Sequence, residues 1–563
     1  MREFLRAKGL PRRAIVTAAL PYANGRLHVG HLRSTYIPAD AFKRYLKARG
    51  YDVLYICGTD EHGTPIAVQA DKEGVSPKDI ADRYHPIIHQ QLKTVGCDLD
   101  VFSRTTLPHH YTLTQQVFLK LLEKGFIYEK EYEELFCTKC QRALPDRYVN
   151  GTCPHCGYPY ARGDACDNCG SFLKPTDLID PRCALCGSTP EVRRTKHWFF
   201  RLSSIENEIR AWIAKNDRLP ENVRNFAEGW LKSGLRDWCI TRNMQWGVPV
   251  PIRGAEGKVL YVWFDAPIGY VSATIDWAQQ QSDPDAWRNY WTGDVEIYHF
   301  IGKDNIYPHV FFWLGIVIAY GEWTLPRSIV AGEFVTLHGR RMQKSIGWII
   351  EIEDVLKNFP VDSLRYFLLS IALHRDLDFT WTELAHRHNE DLVSNLGNFV
   401  HRTLVLIKRY FNGTIPEDYE PETLERIKQV AKEVEEAMNR FEFHRALHTI
   451  LNLSTYGNQL LSQREPWRLI KEGLKEEATC VIGSCARLVR ALAILLYPFL
   501  PNTAKQIWSQ LGLGNLPEQN LWALLEEDFP PQHTIGKPIP LFPKIPEDLI
   551  QRLEAELAKK RPE

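Results

Sequence analysis

Four C-x-x-C pairs lie within residues 137–186: Cys137/Cys140, Cys153/Cys156, Cys166/Cys169 and Cys183/Cys186. Two such pairs make one tetrahedral zinc site with four thiolate ligands, so eight thiolates make two. Metal is favoured over disulfides because Met1 to Arg13 is charged and lacks the apolar core of a secretion signal. Eight unligated cysteines would explain neither the even spacing nor the glycine that follows Cys156, Cys169 and Cys186. Closed four-thiolate sites leave no open position, so they hold structure and do no chemistry. Two connectivities are open. Consecutive pairing joins Cys137/Cys140 with Cys153/Cys156. Nested pairing joins Cys153/Cys156 with Cys166/Cys169 and closes Cys137/Cys140 onto Cys183/Cys186. The nested form is favoured, because its inner pairs have the shortest loop and its outer segments would make a stem.

On either side of these knuckles the chain reads as strands alternating with amphipathic helices. Ala14–Leu20 and Val53–Cys57 are short apolar runs, each followed by a turn that carries polar chemistry. The pattern resumes near Lys258, with strands expected at Val259–Phe264 and Val295–Ile301. This is βαβ logic, and it predicts a parallel sheet split by the knuckles. Beyond about residue 388 the strand signals end. Leu392–Tyr410, Pro421–Phe441, Ala446–Leu461 and Glu477–Tyr497 then recur with helical periodicity, as in a bundle. The expected boundaries are 1–117 and 258–330 for the split domain, 118–257 for the insertion and 331–387 for a connecting region. Residues 388–538 form the bundle, and 539–563 a tail that packs back on the body.

Charge excludes a broad polycation, because 69 basic residues balance 69 acidic ones. Any RNA contact must come from local patches such as Arg193-Arg194 or Lys408-Arg409. The longest apolar stretch read from the sequence, Val310 to Tyr320, is too short to span a bilayer. No membrane partner is therefore expected, and the chain is placed in the cytoplasm.

The first apolar run stops at Pro21, turns at Asn24-Gly25 and reaches His28-Val29-Gly30-His31. Ile37, Ala41, Tyr45 and Leu46 then recur at helical spacing. The two histidines should share one face of a helix N-terminus, where free N–H groups and the dipole favour phosphate. Gly30 leaves room for a nucleotide against the backbone. Alone, the motif is equally compatible with two surface histidines. A second element, Arg341-Met342-Gln343-Lys344-Ser345, lies far downstream in a polar loop.

Together the two resemble the HIGH and KMSKS signatures of class I aminoacyl-tRNA synthetases. Val29 stands for Ile in the first. Arg341 and Gln343 stand for Lys and Ser in the second, while Lys344 and Ser345 are kept. The resemblance narrows with Leu20–Gly25, Gly58-Thr59-Asp60-Glu61-His62-Gly63-Thr64, Tyr261–Tyr270 and His299–Asn305, which occur in this order in methionyl-tRNA synthetases. It implies an α/β, Rossmann-type parallel-sheet catalytic domain, split by a zinc-binding insertion and followed by an all-α anticodon-binding bundle. Residues 331–387 would hold the KMSKS-type loop and a stem-contact region. The metals would be two structural Zn2+ on the eight cysteines, and Mg2+ with ATP. Methionine would be activated with ATP and then transferred to the 3′ end of initiator and elongator tRNA(Met). A monomer is expected.

Residue by residue, the resemblance assigns His28, His31 and Lys344 to catalysis. ATP would be held by His28, His31, Gly302, Asp304, Arg341, Lys344 and Ser345. Methionine would be held by Leu20, Tyr22, Asp60, Trp263, Ala266, Pro267, Tyr270 and His309. Asp60 would face the α-ammonium, while Tyr22 and a neutral His309 would donate weakly to the thioether sulfur. Trp313 would back the pocket. Pro308 stands where the family usually has Phe. Arg242 matches a position near ATP. Asn398 and Arg402, with Pro466 and Trp467, match positions that read the anticodon by hydrogen bonding and stacking. Other readings are a class I enzyme for isoleucine, valine or leucine, a small-molecule adenylyltransferase, and a catalytically impaired tRNA-binding paralogue. The first is disfavoured by an insertion far smaller than an editing domain, the second by the knuckles and the bundle. The third is disfavoured by retention of His28, His31, Asp60, Asp304 and Lys344.

Overall fold

The structure, a computed structural model, describes residues 12–166, 168–169, 171–342 and 347–560. Lys344 and Ser345, with Gln343, lie outside the described residues. Five strands form the central sheet: β1 (Arg13–Ala18), β2 (Asp52–Thr59), β3 (Val101–Arg104), β4 (Val295–Gly302) and β5 (Ser328–Gly332). All pair in parallel, in the order β5-β4-β1-β2-β3. Alternate side chains explain the burial of both faces. Ala14, Val16, Val53, Tyr55, Tyr298 and Phe300 enter one hydrophobic cluster, and Ile15, Leu54, Ile56, Ile297 and Ile301 enter the other. A strand buried on both sides must be apolar at nearly every position, hence the continuous runs in the sequence.

The strand order reverses between β1 and β4. In a doubly wound sheet, that reversal opens a crevice at the carboxyl ends of those strands. Here it lies between the turn after Ala18 and the turn after Gly302. The chain leaving β1 enters a helical stretch from 29 to 48 that contains one π-helical segment, Leu32–Tyr36.

The expected strand at Val259–Phe264 is corrected. Only Lys258–Leu260 is extended, and it pairs antiparallel with Thr241–Asn243, outside the parallel sheet. A helix, Val262–Gln279, begins at once, with Asp265 in its first turn. An acidic residue at a helix N-terminus is favourable, and that signal outweighs the apolar run.

The knuckles sit on a long two-stranded stem. Ile127–Cys137 pairs antiparallel with Glu191–Phe200, in register from Ile127↔Phe200 to Phe136↔Glu191. The stem is tied to the helix Thr64–Glu73: Arg142 and Tyr148 both donate to Asp71, at 2.8 and 2.6 Å. Ala67 and Val68 of that helix share a hydrophobic cluster with Cys137, Tyr148, Val149 and Cys183.

The C-terminal half is helical, and its helix runs without a break through residue 388, from Trp381–Arg387 through His388–Gly397 to Asn398–Tyr410. Glu422–Asn439, Phe443–Arg464 and Lys475–Leu496 complete the bundle. Lys475–Leu496 corrects the reading of Val310–Tyr320 as the longest apolar stretch, since by length and composition it could cross a membrane. Here it is the bundle's central helix, with its apolar window 89% buried against protein. The tail packs back on the body. His388 Nε2 lies 2.7 Å from the Pro543 carbonyl, and Glu554 of the helix Glu547–Lys559 accepts from the Thr382 N–H at 2.9 Å.

Candidate active site

His28 is the N-cap of the helix that leaves β1. Its Nδ1 accepts the Gly30 N–H at 3.1 Å, and His31 Nδ1 accepts the His28 N–H at 3.2 Å. This reciprocal capping decides the tautomers. A nitrogen that accepts a backbone N–H carries no proton, so each neutral ring keeps its proton on Nε2. The rings lie side by side, their centroids 3.8 Å apart. They cap the helix N-terminus that follows β1, where the dipole favours an anion.

The described residues on either side of 343–346 come to the same place. A Cβ on Gly30 would lie 2.9 Å from Met342 Cε and from His28 Cε1, so only glycine allows Met342 to pack there. On the far side of residues 343–346, the Val29 N–H donates to the Ile350 carbonyl at 3.3 Å, and His28 bridges Glu351. Arg341 is exposed, with its guanidinium 4.4 Å over the Phe334 ring. Gly302 ends β4 and Asp304 sits exposed in the short turn that follows, across the crevice from the histidines.

Asp60 directly follows β2 and pairs through its backbone with Tyr22. Its carboxylate is buried and accepts the His62 N–H at 3.2 Å. Among the described residues no cation pairs with it. Burial, reinforced by the charges of Asp265 and Glu61, pushes its pKa well above the usual carboxylate range. The loop that carries it is heavily braced. Glu61 is fully buried, takes two hydrogen bonds from Arg104 at 2.9 Å, and accepts from Thr59 and Thr106. His62 Nδ1 donates to Asp265 at 2.6 Å, and His110 hydrogen-bonds the other oxygen of the same carboxylate. Burial would raise the pKa of Asp265, but the charges and hydrogen bonds of His62 and His110 outweigh it and hold the group ionised. Sequence reasoning assigned no role to Glu61, His62, His110 or Asp265. Nothing local links His110 to Asp265 across 155 residues.

Trp263, Ala266, Pro267 and Tyr270 share one face of the helix Val262–Gln279, as their spacing requires. Leu20 packs against the same helix: a Cβ on Gly269 would come within 2.9 Å of its Cδ2. Tyr270 Oη lies 2.8 Å from His309 Nε2, while His309 Nδ1 lies 2.8 Å from the Asn305 carbonyl. A carbonyl can only accept, so Nδ1 holds the proton and Nε2 accepts a hydrogen bond from the Tyr270 hydroxyl. Burial lowers the His309 pKa to about 4, so the ring is neutral. Both its nitrogens are engaged, which corrects the expectation that His309 donates to sulfur. The Tyr22 hydroxyl remains the available donor; burial, then the charge of Asp60, raises its pKa far above the ordinary value. Trp313 stands behind this wall, donating to His299 Nε2 at 3.0 Å beside the Tyr270 ring. Pro308 opens a buried π-helical turn that carries His309. Arg242 is committed elsewhere, paired with Asp146 at 3.0 Å and stacked 4.0 Å over Tyr261.

The cysteines gather in the nested arrangement: Cys137, Cys140, Cys183 and Cys186 form one tetrad, and Cys153, Cys156, Cys166 and Cys169 the other. The sulfurs of Cys137 and Cys186 lie 3.5 Å apart, and those of Cys156 and Cys166 3.6 Å apart. A tetrahedron with metal–sulfur bonds of about 2.3 Å has edges of about 3.8 Å. Hydrogen bonding with Ser171 and Ser188 lowers the thiols of Cys169 and Cys186 to about 6, whereas a hydrogen bond with Cys186 pushes Cys140, and burial pushes Cys166, up to about 12. The inner tetrad also abuts the aromatic wall. Phe172, just beyond Cys169, meets Trp263 edge-on at 5.2 Å and Tyr307 at 5.2 Å.

In the helical bundle, Asn398 and Arg402 lie on one helix face. The Arg402 guanidinium stands 5.8 Å over the Trp467 ring, and Asn398 lies 3.4 Å from Asn458. Pro466 opens the short helix that carries Trp467. The structure adds Asn395 and Asn458 to this group, linked by a 3.0 Å hydrogen bond that no sequence pattern announced.

Two family models match the chain: tRNA synthetases class I (M) over residues 14–404, and the anticodon binding domain of methionyl tRNA ligase over residues 412–561. A methionine–tRNA ligase of Methanopyrus kandleri is 46% identical over 551 residues, covering 97% of this chain and 82% of the relative. Its counterpart in Pyrococcus furiosus is 43% identical, covering 96% and 76%. Among solved structures, Mycobacterium tuberculosis methionyl-tRNA synthetase in complex with methionyl-adenylate aligns with a TM-score of 0.78 and 27% identity. That alignment covers 94% of this chain and 100% of the other.

Proposed function

The chain belongs to the methionyl-tRNA synthetases, ATP-dependent ligases that join methionine to tRNA, and from that premise we propose how its own residues divide the work. The observation that carries the reading is the capped pair His28 and His31, whose turn follows β1 at the strand-order reversal. ATP lies in the crevice there with its phosphates on these histidines and its ribose at Asp304. Gly302 lets the adenosine lie close, and Arg341, Lys344 and Ser345 belong to the loop that meets the β- and γ-phosphates. Methionine lies between Tyr22, Asp60 and the wall of Leu20, Trp263, Ala266, Pro267, Tyr270 and His309. Its carboxylate oxygen attacks the α-phosphorus and pyrophosphate leaves. A carboxylate is already a nucleophile, so no general base is required. The protein's contribution is alignment and stabilisation of charge spreading over the phosphates. Mg2+ accompanies ATP and offsets part of that charge. Methionine-dependent ATP–pyrophosphate exchange, with leucine, isoleucine and valine as controls, tests the assignment. Exchange supported equally by a control amino acid would overturn it.

Two zinc ions occupy the cysteine tetrads and act only on structure. Metal analysis of the folded chain should find two zincs, and Cys153→Ser should bind one. One zinc or none in the folded wild type would defeat this.

Asn398, Arg402, Pro466 and Trp467 form the anticodon platform for tRNA(Met), initiator and elongator. A base stacked on an aromatic ring contributes about 1–3 kcal/mol. Trp467→Ala should therefore lower kcat/KM for tRNA charging by about tenfold to a hundredfold and leave pyrophosphate exchange intact. Unchanged charging would remove Trp467 from the interface. The work divides among a catalytic domain (1–117 and 258–330), the insertion (118–257), the loop region (331–387), the bundle (388–538) and the tail (539–563). We place the enzyme in the cytoplasm.

A further inference from the structure

Asp265 is fully buried, and its two carboxylate oxygens are taken by histidines from different parts of the chain. His62 comes from the loop after β2, and its Nδ1 lies 2.6 Å from one oxygen. His110 comes from the helix Pro108–Glu123 and hydrogen-bonds the other. Both rings are buried, and both are fixed at their second nitrogen. His62 Nε2 lies 3.0 Å from the Tyr111 hydroxyl, and His110 Nδ1 lies 2.8 Å from the Ser272 hydroxyl. Adenylate formation requires no base, so none of the three side chains reacts.

The three have the donor set of a metal site, but they stand too close together for one. Two atoms bound at about 2.0 Å to a tetrahedral metal are about 3.3 Å apart. The observed 2.6 Å leaves no room for an ion and belongs to a hydrogen bond on a charged acceptor. Stability does not account for the cluster either, since apolar residues of similar volume often replace buried charged groups at no cost. What the cluster does fix is geometry. Asp265 immediately precedes Ala266 and Pro267 in the helix that forms the side-chain wall. His62 gives its backbone N–H to the Asp60 carboxylate at 3.2 Å. One residue thus holds Asp60 through its backbone and the wall helix through its ring, across 203 residues of sequence.

We propose that His62, Asp265 and His110 are positioning residues for methionine: the His62 ring, clamped by Asp265, sets where the Asp60 carboxylate stands relative to the side-chain wall. The proposal rests on the reading of Asp60 as the ammonium site. Methionine carries its ammonium and its side chain on one carbon, so the spacing of the two subsites decides whether both are filled at once. Small errors in such spacing are costly in an aligned site. ATP, bound at the histidine-capped turn, does not depend on that spacing.

The test moves the donor of residue 62 without removing it. The amide nitrogen of Asn is as many bonds from Cβ as Nδ1 of histidine, and that of Gln as many as Nε2. His62→Asn therefore keeps the donor to Asp265, and His62→Gln carries it one bond too far. Pyrophosphate exchange gives kcat and the KM values for methionine and ATP, and a cooperative thermal melt shows that each variant folds. His62→Gln should raise the KM for methionine by about tenfold or more, with the KM for ATP within about twofold and kcat within about threefold. His62→Asn should restore the KM for methionine to within about threefold of wild type, and Asp265→Asn should repeat the loss. Added to Asp60→Asn, Asp265→Asn should cost less than about threefold more, because the contact it positions is already gone. Equal KM values for methionine in His62→Asn and His62→Gln would overturn the proposal, since the donor's position would then not matter. So would a fully multiplicative loss in the double variant, or a third metal ion per chain that Asp265→Asn loses. Normal methionine affinity in Asp60→Asn would defeat the underlying reading and the proposal with it. A raised KM in Asp60→Asn beside equal values in the two His62 variants would defeat the proposal alone.

Discussion

Asp60→Asn should raise the KM for methionine by at least about a hundredfold while changing the KM for ATP only a few-fold. The carboxylate is buried, and among the described residues its one hydrogen bond comes from the His62 N–H. Burial and two neighbouring acids, Asp265 and Glu61, make its ionised form costly until a cation arrives. Removing one partner of a buried ion pair costs about 3–5 kcal/mol, because the other charge is left uncompensated. At about 1.4 kcal/mol per tenfold, that is on the order of a hundred- to several-thousandfold. Asn keeps the shape and the His62 contact, so the loss reports charge and not packing. The sign of the pH effect follows. The pKa of Asp60 is raised in the free protein and falls when an ammonium docks, so binding releases a proton and methionine affinity rises with pH below the raised pKa. Calorimetry in buffers of different ionisation enthalpy measures that proton. Near-normal methionine affinity in Asp60→Asn would remove this residue from the site.

Lys344→Ala should lower the rate of adenylate formation by about a hundredfold, with a much smaller change in ATP affinity. The leaving pyrophosphate gains negative charge as the bond to the α-phosphorus breaks. A cation that meets it mainly in the transition state raises kcat without tightening ground-state binding. Such a contact is worth on the order of 3 kcal/mol. Lys344 is outside the described residues, but Met342 on one flank and Ile350–Glu351 on the other both touch the His28–His31 turn. Arg341→Lys should cost far less, since charge is preserved at an exposed side chain stacked on Phe334. Pyrophosphate exchange at the wild-type rate in Lys344→Ala would show that this loop is not the catalytic element.

Much of the site was legible because its chemistry is local. His28 and His31 cap one turn, so three residues of spacing carry their geometry. The nested cysteine pairing followed from loop length, and the stem Ile127–Cys137 with Glu191–Phe200 closes it as expected. Other features were not legible. Val259–Phe264 looked like a strand by its apolar content, but a helix start signalled by Asp265 prevailed. His309 was expected to face sulfur, but its partners Tyr270 and Asn305 bind both its nitrogens.

Most elements, the two cysteine tetrads and the histidine-capped turn were readable from the chain alone, since each depends on neighbouring residues or on metal-ligand spacing. Which charges and tautomers the site holds was set by packing in three dimensions. Asp265 stays ionised between His62 and His110, Glu61 is pinned by Arg104, and Asp60 is the buried carboxylate left without a cation among the described residues. Those outcomes depend on burial and on partners as far as 203 residues away. Desolvation and hydrogen bonding act through space, and no local pattern in the chain encodes them.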